Sequence, residues 1–240
     1  MNKIKKMLEQ EFIHGYTLFD RLFMLAALIV QIGIFIVVPD SWISIVCGVT
    51  GVISSILCAQ GKISFYFIGF IQTGTYLVLS WQNKFYGEVL ENLFYLVSMI
   101  WGIFVWKKNS QVDENDSANV QAKKLSLRMW LLLGITTIIG TGVLGYLLDS
   151  IGSSQAYLDA ATNVMAVYAQ LLMVRRYREQ WAWWLGVDIC ALILWINAGN
   201  WSMVVMYIVW ILNCCFGWYH WTKLEKASIK NVELTNSIKE

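Results

Sequence analysis

The chain has 240 residues, of which 58% are apolar and 14% charged, with 13 Trp, 17 Gly, one Pro and a net charge of +2. Soluble domains hold about 45–50% apolar and about 25% charged residues. The balance excludes a disordered chain, a disulfide scaffold and a nucleic-acid binder and leaves a polytopic all-α membrane protein.

The N-terminal 17 residues are polar and carry Lys3, Lys5 and Lys6. The first apolar run ends in Val37-Val38-Pro39-Asp40 rather than in a small-x-small cleavage site, so it reads as a retained span, not a signal peptide. A spanning helix needs about 20 mostly apolar residues. Eight stretches qualify: 18–38, 42–60, 63–82, 88–106, 127–149, 157–174, 181–198 and 200–221. Between spans four and five, residues 107–126 read as a polar, flexible linker. Cys47, Cys58, Cys190, Cys214 and Cys215 sit inside apolar runs and read as small apolar side chains. His14 and His220 have no metal-ligand spacing. No cofactor is implied.

The Lys and Arg positions fix an orientation. Of 18 such residues, only Lys84 falls on one side of the eight-span arrangement. The rest fall on the other, including Lys62, Lys107, Lys108, Arg175, Arg176 and Arg178. The positive-inside rule then predicts both termini in the cytoplasm, and the basic clusters face anionic lipid. The sequon Asn115-Asp116-Ser117 falls on the cytoplasmic side and carries no weight.

An internal repeat is visible. Lys62-Ile-Ser-Phe-Tyr-Phe aligns with Arg178-Glu-Gln-Trp-Ala-Trp, Trp81-Gln-Asn83 with Trp195-Ile-Asn197, Tyr95 with Tyr207, and Trp106 with Trp218. The offset drifts from 116 through 114 to 112 in these pairs. Spans two to four and six to eight therefore form two parallel three-helix repeats joined by span five, the SWEET-type arrangement, with span one as an extra. The expected organisation is 1–39 for the N-terminus and extra helix, 40–108 for the first bundle, 109–150 for the loop and linker helix, 151–222 for the second bundle and 223–240 for a cytoplasmic tail. In such repeats the substrate site lies near the midplane, between the bundles.

Helical wheels at about 100° per residue locate polar faces. Span six aligns Asp159, Thr162, Asn163, Ala166 and Gln170, and span seven aligns Trp181, Trp184, Asp188, Ala191 and Trp195. Span eight aligns Asn200, Tyr207, Cys214 and Trp218; span four aligns Glu88, Asn92, Tyr95, Gly102 and Trp106. In span three, Phe65, Gly69, Gln72 and Tyr76 share a face, and at the offset of 116 Gln72 is the mate of Asp188. Asn163 and Gln170 read equally as site residues and as hydrogen bonds between helices. Trp106, Trp218 and Trp221 read as interfacial anchors, and Trp183 as packing or lipid contact. Asp188 differs, because a carboxylate about seven residues inside a span is costly and marks a pathway. Aromatic faces attract cations and stack on flat rings. The stripe of Trp181, Trp184 and Asp188 therefore suits a flat, cationic aromatic solute whose hydroxyls meet the amides and tyrosines.

The chain resembles the PnuC family of bacterial vitamin transporters. The likeness rests on Asp-Ser-Trp-Ile at 40–43, Lys-Ile-Ser-x-Tyr-Phe-x-Gly at 62–69, Gly-Asn-Trp at 199–201, Gly-x-x-x-Trp at 217–221 and the run Arg175-Arg176-Tyr177-Arg178-Glu179-Gln180-Trp181-Ala182-Trp183-Trp184. It covers about residues 40–222. The resemblance implies a SWEET-like fold and uptake of nicotinamide riboside, whose pyridinium agrees with the cationic reading. It also implies a homotrimer in the bacterial inner membrane with one site per protomer, facilitated diffusion, and a substrate-stacking pair at Trp181 and Trp184. The substrate-binding set expected here is Trp181, Trp184, Asp188, Gln72, Asn163, Gln170, Tyr207 and Tyr95. Position 188 is often Asn in the family and is Asp here. Related members look like thiamine transporters, and thiamine is also a cation, so the resemblance leaves another vitamin such as thiamine as the alternative substrate. A proton-coupled carrier would use Asp188, Glu91 or Asp159. No His-Glu-x-x-His, Gly-x-Ser-x-Gly or Walker pattern supports an enzyme.

Overall fold

The computed structural model describes residues 3–37, 41–82, 86–112, 118–152, 155–197 and 201–237. Asn83, Lys84, residues 115–117, Gly199, Asn200 and the side chains of Trp195 and Trp201 lie outside what is described. The described residues form α1 (Lys3–Phe12), α2 (Leu18–Val37), α3 (Trp42–Ala59), α4 (Ser64–Gln82), α5 (Tyr86–Lys108), β1 (Ser110–Val112), β2 (Ala118–Val120), α6 (Leu127–Ser150), α7 (Ala156–Val174), α8 (Gln180–Asn197) and α9 (Trp201–Ser237). The eight expected spans are thus eight helices, α2 to α9. By length and apolar composition, α2, α3, α5 and α6 qualify as membrane-crossing helices. Polar residues dilute the hydropathy of α4 and α7, and α8 contributes a shorter apolar stretch, Gln180–Leu194.

Several helix ends follow from local chemistry. Ser41 caps α3, its Oγ accepting from Ser44 N at 3.2 Å, and Ser126 caps α6 by accepting from Met129 N. Thr17 and Asp20 start α2 with a reciprocal box: Thr17 N donates to Asp20 Oδ2 at 2.7 Å, and Asp20 N donates to Thr17 Oγ1 at 3.2 Å.

The chain divides into two compact units, residues 1–121 with 226–240 and residues 122–225. In the first, α3 packs against α4 and α4 against α5, while α2 lies on α3. The N-terminal segment is more than a tail. Lys62, 1% exposed, donates from Nζ to the carbonyls of Gln10 at 2.8 Å and His14 at 3.2 Å, where a cation complements the C-terminal end of α1. In return, Ser64 N at the start of α4 donates to Glu11 Oε2 at 3.0 Å. Lys62, counted by sequence among the loop charges, is therefore a buried cap. The stretch 107–126, expected as a flexible linker, instead carries β1 and β2, paired antiparallel with Gln111 opposite Asn119. Val120 N adds a bond to Gly61 O at 2.9 Å.

In the second unit, α7 packs against both α6 and α8. Trp183 anchors a cluster with Leu125, Ala169 and Leu172, and Trp130 stacks on it with ring centroids 5.7 Å apart. Trp183 is thus a packing residue, as one of its two expectations held.

The two units repeat each other's contacts at a constant spacing. Gly61 (φ 71°) and Arg176 (φ 68°), 115 residues apart, both take the left-handed conformation after a helix. Around each, the same pair of bonds closes the helix: Gly61 N to Cys58 O and Lys62 N to Leu57 O; Arg176 N to Met173 O and Tyr177 N to Leu172 O. Glycine meets this conformation without strain, whereas Arg176 adopts it at a cost of about 1–2 kcal/mol. The same spacing relates Tyr66 lying over Gly102 to Trp181 lying over Gly217. It also relates the edge-on ring pair Tyr66–Trp106 to Trp181–Trp221. The drifting offset read from sequence is therefore corrected to a fixed one. Thr73, not Gln72, corresponds to Asp188, and Trp221, not Trp218, corresponds to Trp106. A second correction follows. Trp106 and Trp221, expected as membrane-edge anchors, are each 0% exposed because they close these ring pairs inside their own units.

Candidate substrate-binding site

In the second unit, α8 presents Trp181 and Asp188 toward α9, two turns and about 10 Å apart along the helix. Trp181 is 4% exposed, its indole flat over Gly217 and its edge against Trp221 with centroids 6.4 Å apart. Asp188 is 3% exposed and accepts a hydrogen bond at Oδ2 from the Cys214 thiol at 3.2 Å. Among the described residues, no cationic side chain forms an ion pair with Asp188. A buried carboxylate with one weak donor is costly unless something positive joins it. Trp184 is half-buried and packs against the Trp183 cluster, so its ring keeps open surface where Trp181 does not.

The other expected residues stand as follows. Asn163 is held within α7, its Nδ2 donating to Asp159 O at 2.8 Å and Oδ1 at 3.2 Å. Gln170 is buried on α7, and Tyr207 is half-buried on α9 two turns before Cys214. Two expected residues belong to the first unit. Gln72 accepts at Oε1 from Thr73 Oγ1 at 3.2 Å, and Tyr95 donates to Glu91 Oε1 at 2.8 Å. None of the eight lines the 370 Å³ groove bounded by Phe12, Tyr16, Arg21, Met24 and Leu28 at the start of α2.

Sequence reasoning missed the residues that brace α8. Glu179, 1% exposed at the α8 N-terminus, accepts from Leu125 N at 2.9 Å and from Arg178 Nε at 3.1 Å. An anion suits that end of a helix. Arg178 also bonds Glu225 at 2.7 Å and lies over the Trp218 ring at 5.3 Å, tying α8 to α9. The run Arg178-Glu179-Gln180-Trp181 therefore builds the scaffold as well as the stripe. Nearby, burial and the Arg176 charge lower the proton affinity of Lys123, and burial lowers that of Arg176. Cys214 was aligned by sequence with Tyr207 and Trp218 but was read only as a small apolar side chain.

Comparison with known proteins decides the lineage. The family described as nicotinamide mononucleotide transporter matches residues 41–223. The chain belongs to this nicotinamide mononucleotide transporter family. Its relatives include the nicotinamide riboside transporter PnuC of Haemophilus influenzae, 38% identical over 92% of this chain and 97% of that protein. The PnuC of Neisseria mucosa is 36% identical over 91% of this chain and 86% of that protein. A crystal structure of the vitamin B3 transporter PnuC superposes with a TM-score of 0.79, at 35% identity, covering 94% of this chain and 97% of that one. Family members are transporters rather than enzymes, so this chain is a multi-pass bacterial membrane protein of the same class.

Proposed function

We propose that the chain takes up nicotinamide riboside by facilitated diffusion with alternating access, through an eight-span SWEET-like arrangement of two parallel repeats. The observation that carries this is Asp188: a buried carboxylate without a cationic partner among the described residues, on a stripe with two tryptophans. Nicotinamide riboside supplies the missing positive charge on a flat ring. Trp184 offers its half-open indole to that ring, Trp181 fixes the stripe behind it, and Asp188 complements the pyridinium. Tyr207, Asn163 and Gln170 of the same unit meet the ribose hydroxyls and the amide. The relatives named nicotinamide riboside transporters support the choice of solute. The basic-residue asymmetry supports cytoplasmic termini and contact with anionic lipid. By family resemblance the assembly is a homotrimer.

Uptake into proteoliposomes tests the mechanism. Nicotinamide riboside should equilibrate at the same rate with and without an imposed proton gradient. Accumulation that follows the gradient would replace this mechanism with a proton-coupled one.

A further inference from the structure

The constant spacing of the repeat pairs Asp188 and Cys214 with Thr73 and Met99 of the first unit. There the Thr73 hydroxyl, whose proton is directed to Gln72 Oε1, lies against Met99 Sδ at 3.8 Å. One unit thus holds a neutral version of a contact that, in the other, becomes a thiol facing a carboxylate. In both, the helix facing the donor or acceptor is brought close by a glycine one turn further on, Gly102 or Gly217, covered by an aromatic ring. The separation of α8 and α9 at Cys214 is therefore set by the Trp181 ring lying on Gly217.

We propose that Cys214 is a positioning residue for the Asp188 carboxylate. Its thiol holds Oδ2 at 3.2 Å and leaves Oδ1 for a cationic substrate. Both residues are buried, and among the described residues this thiol is the hydrogen-bond donor that fixes the carboxylate. Without it, the carboxylate rotates about its side-chain torsions and its attraction for the positive ring is spread over several orientations. The thiol suits this task because it is a weak donor. It orients the group without neutralising it, as a lysine or arginine would. The inference rests on Asp188 being a substrate group.

The test is the ratio of affinities for nicotinamide riboside and its neutral 1,4-dihydro form, measured on purified full-length protein. Wild type should favour the cation. Asp188→Asn should abolish that preference; if the preference survives, Asp188 is not a substrate group and the underlying reading fails, whatever Cys214 does. Given that loss, Cys214→Ala should cut the preference by about fivefold, the scale of one net hydrogen bond, and leave affinity for the neutral form unchanged. Cys214→Ser, which still donates, should restore it, and Cys214→Ala in an Asp188→Asn background should add nothing. Equal loss of both affinities in Cys214→Ala without rescue by serine would mean a packing role and overturn the proposal. The S–H stretch of Cys214, assigned by difference against Cys214→Ser, should shift in Asp188→Asn. An unmoved band would overturn the proposal equally, without relying on the folding of Cys214→Ala.

Discussion

Gly217→Ala perturbs the contact on which the second unit turns. A Cβ at this position would run into the Cδ2, Cε2 and Cζ2 atoms of the Trp181 indole. The ring has little room to retreat, because it is 4% exposed and its edge is packed by Trp221. Overfilling a packed core costs about 1–3 kcal/mol, and alanine recovers up to about 1 kcal/mol of helix propensity over glycine. The net loss expected is about 1–2 kcal/mol, a fall of roughly 2–8 °C in Tm for a chain of this size. Thermal unfolding of detergent-purified protein reads it directly. Gly102→Ala, which would meet the Tyr66 ring, should behave the same way, while Gly134→Ala and Gly142→Ala, with nothing within 4 Å, should be neutral or stabilising. Trp181→Phe in the Gly217→Ala background should recover part of the loss, because a smaller ring clears the methyl. A Gly217→Ala protein as stable as wild type would refute the claim that this glycine is required by the ring above it.

Other outcomes follow from the same contacts. Trp184→Ala should weaken nicotinamide riboside binding by about 1–3 kcal/mol, the scale of one stacked ring, with little change in Tm; unchanged affinity in the folded variant would remove Trp184 from the site. Glu179→Ala should leave Leu125 N and Arg178 Nε without their acceptor and destabilise by about 1–3 kcal/mol. Amide exchange at Leu125 should accelerate sharply in Glu179→Ala and only mildly in Glu179→Gln, which keeps an acceptor. Equal exchange in wild type and Glu179→Ala would show that the buried carboxylate does not hold this segment.

The helices were legible because each is a long apolar run bounded by turn or charged residues. The ends of α3, α4 and α7 fall within a residue of their expected limits. What escaped were features made by residues distant in sequence. Nothing in the run Lys3–Phe12 announces that its end is capped by Lys62, since the partner lies some fifty positions on. The repeat was visible, yet matching aromatic residues by type let the register slip. Trp106 was paired with Trp218 because both are tryptophans in similar runs, whereas the shared glycine contact aligns it with Trp221. The same slip assigned Gln72 to Asp188 in place of Thr73. Tryptophans near span ends also read alike from sequence whether they meet lipid or a neighbouring ring. Only packing separates the buried Trp106 and Trp221 from Trp42, which is 72% exposed. In the site, the wheel found the stripe of Trp181 and Asp188 because that needs helical periodicity alone. It could not find Cys214 as the partner, because a thiol in an apolar run carries no signal until the facing helix is in place.

Calorimetry on the purified full-length protein, with nicotinamide riboside, thiamine and riboflavin titrated in turn, tests the central claim most directly. Nicotinamide riboside should give a saturable heat with one site per chain, and the other two should bind more weakly or not at all. No saturable heat with nicotinamide riboside, or tighter binding of thiamine, would contradict the assignment of this chain as a nicotinamide riboside carrier.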